Sequence, residues 1–270
     1  MTGLEHTAIG MLAAASLIGV ASWIGKRWGP GASGWFVALP LISGPVMLTF
    51  ALERGPQFAR QACLGAMLAI ISLSVFALAY SWCARRAGWV MSATLACILF
   101  LVSTWALQLF RAPPIGWTFV LACVVLACAL YAMPAGTTRR ASATTAWDLP
   151  VRMILAAALV FALSSASAYF GPRVSGLLTP FPITSTILVS FTHHNEGAAA
   201  TSQFLLGLLK GLFSFAVFVL VAGVAIGSWP IAATFIAAAI VTLVFHAGVW
   251  QWVQHHEAAS GAPRASVAHD

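Results

Sequence analysis

The sequence predicts an all-α polytopic membrane protein of about nine transmembrane segments, built from inverted four-segment internal repeats with a broken second helix in each. Three observations predict it. Of 270 residues, 61% are apolar and only 7% are charged, a balance foreign to soluble globular domains. The apolar residues gather in runs of about 20, the length of helix that crosses a ~30 Å hydrocarbon layer. The stretch 171–197, GPRVSGLLTPFPITSTILVSFTHHNEG, returns 142 positions earlier at 29–55 as GPGASGWFVALPLISGPVMLTFALERG.

Composition also excludes. The net charge of +7 comes from 13 Lys and Arg scattered through short loops, so no nucleic-acid partner is indicated. Cys63, Cys83, Cys97, Cys123 and Cys128 are an odd number in or beside apolar runs, without CxxC spacing, and read as buried thiols. No cofactor is implied. The partners expected are membrane lipids and a small-molecule substrate, with homo-oligomerisation left open.

Segment 1 covers 7–25 and is followed by Lys26 and Arg27, whereas a signal peptide carries its charge ahead of the apolar run. Segment 2, 33–52, is the first broken stretch, interrupted by Pro40 and Pro45. Segments 3, 4 and 5 follow at 61–82, 88–110 and 114–133, with Trp82, Trp89 and Trp117 near their ends, where indole prefers the headgroup boundary. The polar stretch 134–150 divides the halves. Segment 6 is 151–170, and segment 7 is the second broken stretch, expected to open near 179–181 at Pro180 and Pro182. Segments 8 and 9 are 200–227 and 229–252. The domain reading is repeat 1 at 1–112, segment 5 with its linker at 113–149, repeat 2 at 150–254, and a disordered tail at 255–270.

The repeat rests on ungapped identities that a shared bias toward Ala and Leu cannot produce. Gly29, Pro30, Ser33, Gly34, Pro40, Ser43, Gly55, Gln61, Gly65, Ser72 and Phe76 recur 142 positions later. Segments 1 and 6 are five crossings apart, so the units run in opposite directions if every segment spans; re-entrant broken stretches would make them parallel. Loop charge favours inversion. With the N-terminus outside and the C-terminus inside, Lys26, Arg27, Arg85, Arg86, Arg139, Arg140, Arg152 and Arg264 fall inside and only Arg54, Arg60, Arg111 and Arg173 outside.

The run SGLLTPFPITSTILVSFT, and more weakly ALPLISGPVMLTFAL, resembles the core motif of the GlpM-like family of small bacterial inner-membrane proteins. The resemblance covers about 20 residues. It implies a bacterial inner-membrane protein made of two fused units, and carries no functional residues with it.

Inverted repeats with matching interruptions are the recurring plan of secondary transporters, whose sites use half-helix ends and unwound backbone. The half-helix starting near 183 offers Thr184, Ser185 and Thr186 beside Pro180 and Pro182, an anion-friendly end. Its counterpart in the first unit is Ser43, Gly44 and Pro45. The bland alternative is that Pro and Gly serve close helix packing. Lys210, expected near the midplane, matches apolar Leu68 and is a candidate to neutralise an anionic substrate, with snorkelling as its alternative. Gln61 and Gln203 are candidates to line the same cavity. His193, His194 and Glu196, with Glu53 at the matching end of the first unit, are candidates for proton coupling. They also read as a solvated segment end, and without HxxxH spacing a metal site is disfavoured. His246 reads as an interfacial histidine. Asp occurs only at 148 and 270, and no protease motif is present, so enzyme chemistry is not expected.

The function expected is therefore secondary transport of a small organic solute, favoured to be an anion, with proton coupling as an option. The alternatives are a non-transporting membrane subunit that assembles with or regulates another complex, and a metal-ion transporter.

Overall fold

Glycine and proline set the helix boundaries along this chain. The computed structural model describes residues 3–109, 113–134, 149–159, 161 and 182–259, and among these every regular element is a helix. Helix α1, Gly3–Trp28, stops at Gly29, whose φ of 90° lies where other residues are strained. Pro30 opens α2, Pro30–Val37, at a first-turn position where its missing N–H is no loss. After a break at 38–42 comes α3, Ser43–Arg54, then Gly55, then α4, Pro56–Ala84, again opened by proline. Helices α5, Trp89–Gln108, and α6, Ile115–Ala132, complete the first half. The second half shows α7, Leu149–Leu159, α8, Ile183–Ala225, and α9, Ile231–Ala259.

Five of these helices, α4, α5, α6, α8 and α9, are long and apolar enough to cross a bilayer, and they make this a membrane protein. The broken second segment is observed. Helices α2 and α3 are 8 and 12 residues long, so neither crosses ~30 Å alone at 1.5 Å per residue. Pro40 lies in the break, but Pro45 does not interrupt as expected; it sits in the first turn of α3, where proline is tolerated. The opening expected at 179–181 lies outside the described residues.

Segments 7 and 8 are two helices, carried together here as α8, that meet at Gly197, whose non-helical φ of 83° and ψ of −176° turn the chain without a loop just ahead of the gap expected at 198–199. The tail boundary also shifts, because α9 continues to Ala259: the sequence from 255 to 259 contains neither Gly nor Pro to stop it.

Several boundaries recur at the offset of 142. Gly55, with φ 87° and ψ 170°, ends α3 in the same backbone conformation that Gly197 adopts inside α8. Helix α4 ends at Ala84 and α8 at Ala225, one residue short of the equivalent position, while α5 begins at Trp89 and α9 at Ile231.

Helix α4 and the portion of α8 after Gly197 form the centre, where Met67, Ile70, Phe76 and Tyr80 meet Phe204, Leu205, Leu208 and Leu209, all fully buried. These two helices run antiparallel. Ser81, near the end of α4, hydrogen-bonds Ser202 at 2.9 Å, while Cys63, near its start, lies against Gly223 near the end of α8. Helix α5 is likewise antiparallel to the first part of α8, with Trp89 beside His194 and Cys97 beside Thr186. Helix α2 is pressed onto α8 by glycine. A Cβ at Gly207 would collide with the Gly31 carbonyl, one at Gly34 with the Phe204 carbonyl, and one at Gly211 with Trp35 and Ala38. Dispersion between closely approaching backbones holds such pairs where lipid is as apolar as leucine.

Candidate substrate site

The break at 38–42 opens onto a cleft of about 310 Å³. The chain turns there with short bonds of its own: the Leu41 N–H reaches the Leu39 carbonyl at 2.8 Å, and the Gly44 N–H reaches Pro40 at 2.9 Å. Leu39, Pro40, Leu41, Gly44, Pro45 and Leu48 form one wall. The other comes from Phe218 of α8 and Phe235, Ala239, Thr242 and Leu243 of α9. Gly44 matters sterically, because a Cβ there would lie 3.3 Å from the Phe218 ring. The N-terminus of α3 is a weak anion site. Gly44 spends its N–H on Pro40, Pro45 has none, and the N-cap Ile42 brings no polar side chain.

The second half-helix starts at Ile183, after buried Pro182, whose carbonyl accepts the Thr186 N–H at 2.8 Å. Ser185 is buried, Thr184 and Thr186 are half-buried, and Thr186 Oγ1 lies 4.0 Å from Cys97 Sγ. Pro180 lies outside the described residues.

Lys210 is half-buried at about mid-length of α8 beyond Gly197. It is not among the residues lining the cleft, and it has no hydrogen-bond or ion-pair partner among the described residues. One turn further on, Ser214 Oγ lies 3.0 Å from His246 Nδ1, so Lys210 and this pair share a face of α8. The His246 ring packs on Trp35 at 4.5 Å between centroids. His246 is thus half-buried against α2 and α8, close to the end of the candidate span at Val249. Its Nδ1 gains a hydroxyl partner and its ring an aromatic one.

His193 and His194 part company. His194 is exposed beside Trp89, with ring centroids 6.0 Å apart. His193 turns inward: its ring lies 5.9 Å from Tyr80 and is hydrogen-bonded to the Ala84 backbone. Nδ1 is buried without a hydrogen-bond partner among the described residues. Tyr80 donates to Ser190 Oγ at 3.4 Å, and Thr201 Oγ1 to the Gly197 carbonyl at 3.0 Å. The polar cluster is therefore in part a buried seam around the kink. Arg152, expected in a loop, is buried with its guanidinium 5.0 Å from the Phe191 ring centroid. Asn195 and Glu196 are half-buried and make polar interactions of their own.

Two expected groupings separate. Gln61 is exposed at the start of α4, and Gln203 follows Ser202 at the other end of the antiparallel pair, on the order of 30 Å away along the helices. Glu53, exposed in the last turn of α3, lies at the end of α4 opposite to Ala84 and His193. No group of three His, Cys, Asp or Glu suited to a metal occurs among the described residues.

Sequence reasoning missed Tyr80, Ser81, Ser202 and Thr242. Their signal was a polar group inside an otherwise apolar run, which in a bilayer demands a partner. Comparison with protein-family models, with curated proteins and with solved structures finds no match to this chain.

Proposed function

We propose that the chain is a secondary transporter that moves a small organic solute, an anion by preference, across the bacterial inner membrane. The carrying observation is a helix interrupted at Pro40 beside a cleft, in a molecule where α4 and its match, the portion of α8 after Gly197, run antiparallel. Inverted units of this kind let one half rock against the other around a site at the interruption. The preference for an anion rests on Lys210, the one cation at mid-span without a protein partner among the described residues. His193 is the proposed proton carrier, since its half-buried ring joins α8 to the end of α4. The N-terminus lies outside, and the chain consists of two fused units resembling the GlpM-like family.

The test is flux. Purified protein alone in proteoliposomes should move a substrate drawn from a panel of small organic anions, and a pH gradient should change the rate. Pro40→Leu, which restores helix-forming backbone at the break, should cut flux at least tenfold without loss of expression. A protein that moves nothing until a second membrane protein is added is a subunit of another complex, contrary to this proposal.

A further inference from the structure

Helix α8 carries Gly207, Lys210, Gly211 and Ser214 at the i, i+3, i+4, i+7 spacing that keeps residues on one face. On that face Gly207 and Gly211 take the backbone of α2, and Ser214 takes the imidazole of His246 from α9. The Ser214 hydroxyl is sealed at 0% exposure, and Nδ1 of His246, 3.0 Å away, is its one hydrogen-bond partner among the described residues. That fixes the imidazole. A neutral ring has one donor and one acceptor nitrogen. Were Nδ1 the donor, the Ser214 proton would be buried with no acceptor, an unfavourable arrangement that the opposite polarity avoids. Ser214 therefore donates to Nδ1, and Nε2 carries the hydrogen. Trp35, itself 6% exposed, packs on the ring at 4.5 Å between centroids and holds its plane.

Two donors are left over on this face. Neither Nε2 of His246 nor Nζ of Lys210 makes a hydrogen bond among the described residues. Both belong to half-buried residues, and neither atom is among the described polar atoms shut off from solvent without a partner, so both can be reached. The protein does not supply the missing acceptor as a carboxylate. Helix α2 has no ionisable side chain, and the acids of α8 and α9 are Glu196 and Glu257, 14 residues from Lys210 and 11 from His246, or ~21 and ~16 Å at the helical rise. In α1 the acid is Glu5, 20 residues before the Gly25 that meets Ser33 of α2. The other unit lacks both donors. At the offset of 142 Ser214 is matched by Ser72, but Lys210 and His246 by Leu68 and Thr104. The serine is common to the two units, whereas the cation and the imidazole occur together in one.

We propose that Lys210 Nζ and His246 Nε2–H hold the two oxygens of a small monocarboxylate, with Ser214 as the positioning residue that keeps the hydrogen on Nε2. The inference rests on the anion preference proposed above and deepens it by naming the anion. A carboxylate offers two acceptors to two donors, and one ammonium balances its single charge, whereas a dianion would leave a charge uncompensated away from water. The probe is propionate, added to the full-length protein in lipid nanodiscs with its histidines labelled with nitrogen-15. Nitrogen NMR reads the His246 ring, assigned by the loss of its signals in His246→Gln. The free protein should show Nδ1 bare and Nε2 protonated, and propionate should shift Nε2 saturably while Nδ1 stays bare. Propanol should have no such effect, and sulfate, a dianion, should bind at least tenfold more weakly. Lys210→Met and His246→Leu should each weaken propionate binding about tenfold, and the double variant by clearly less than the product of the two, because both donors act on one anion. His246→Gln keeps an N–H donor and should retain part of the affinity. Ser214→Ala should give mixed tautomers and a several-fold loss of affinity, and Ser214→Thr, which keeps the hydroxyl, should restore both. Nδ1 protonated in the free protein, no saturable effect of propionate, sulfate bound as tightly as propionate, or wild-type affinity in His246→Leu each overturns the proposal. Loss of binding in Lys210→Met alone would leave the anion preference standing and remove this site. Propionate binding without flux would remove the transport reading and leave the site in place.

Discussion

At the scale of the residue, Lys210 carries the sharpest prediction. A charged ammonium inside a bilayer needs a negative group, a carbonyl or water, and the described residues give Lys210 none of the protein partners. Its neighbour Gly211 touches Trp35 and Ala38, where α2 ends and the break begins, so Lys210 stands next to the interrupted backbone. Lys210→Met should lower binding of an anionic substrate at least tenfold while expression and thermal unfolding stay near wild type. Lys210→Arg keeps the charge with a different shape and should retain part of the affinity. Equilibrium binding to the purified variants decides it, and wild-type affinity in Lys210→Met would remove the anion preference. The Ser81–Ser202 bond makes a structural contrast. A double-mutant cycle to alanine should give a coupling near 0.6 kcal/mol, typical of hydrogen bonds between membrane helices, with binding unchanged.

At the scale of the element, the sequence spoke clearly wherever glycine or proline decides the backbone. Gly29, Gly55 and Pro40 mark the boundaries observed in the first unit, since no other residue adopts their φ as readily or lacks an N–H in the same way. It was misleading where a residue has two permitted roles. Pro45 reads as a breaker but is accepted in the first turn of α3. Helix contacts were not legible, because an apolar run does not say which face meets which neighbour. The α2–α8 contact follows from Gly34, Gly207 and Gly211 only once both helices are placed. Gly207→Ala should therefore push its Cβ into the Gly31 backbone and destabilise the fold by about 1–3 kcal/mol, as overpacking does. Gly248→Ala, on α9 with nothing within 4 Å, should be neutral or stabilising by up to about 1 kcal/mol. Thermal unfolding in one detergent compares the two, and equal behaviour would refute the close contact.

At the scale of the whole molecule, the question is how the chain lies in the bilayer. Identities at the offset of 142 were legible in the sequence, whereas the cleft was not, because its space depends on Gly44, Ala239 and Thr242 converging from two halves of the sequence. Contacts now order the ends of the bundle. The indole N–H of Trp82 donates to the Ala132 carbonyl at 3.0 Å, which brings the ends of α4 and α6 together. Trp89 adjoins His194 and Ala84 adjoins His193, so one end gathers Arg85 and Arg86 with the close of the first part of α8. Cys63, Ile115 and Gly223 meet at the other end, which holds fewer basic residues. Lysine and arginine are retained on the cytoplasmic side during insertion, so the arginine-rich end should face the cytoplasm. Cysteines introduced singly at 26, 85 and 139 in a cysteine-free background should react with a membrane-impermeant maleimide only in inverted vesicles. Those at 54, 111 and 173 should react in intact cells. Positions 26 and 173 provide the decisive pair, since they follow the first segments of the two units and inversion places them on opposite faces. Labelling of both from the same side would mean parallel units, and rocking about a shared interruption would lose its geometric basis.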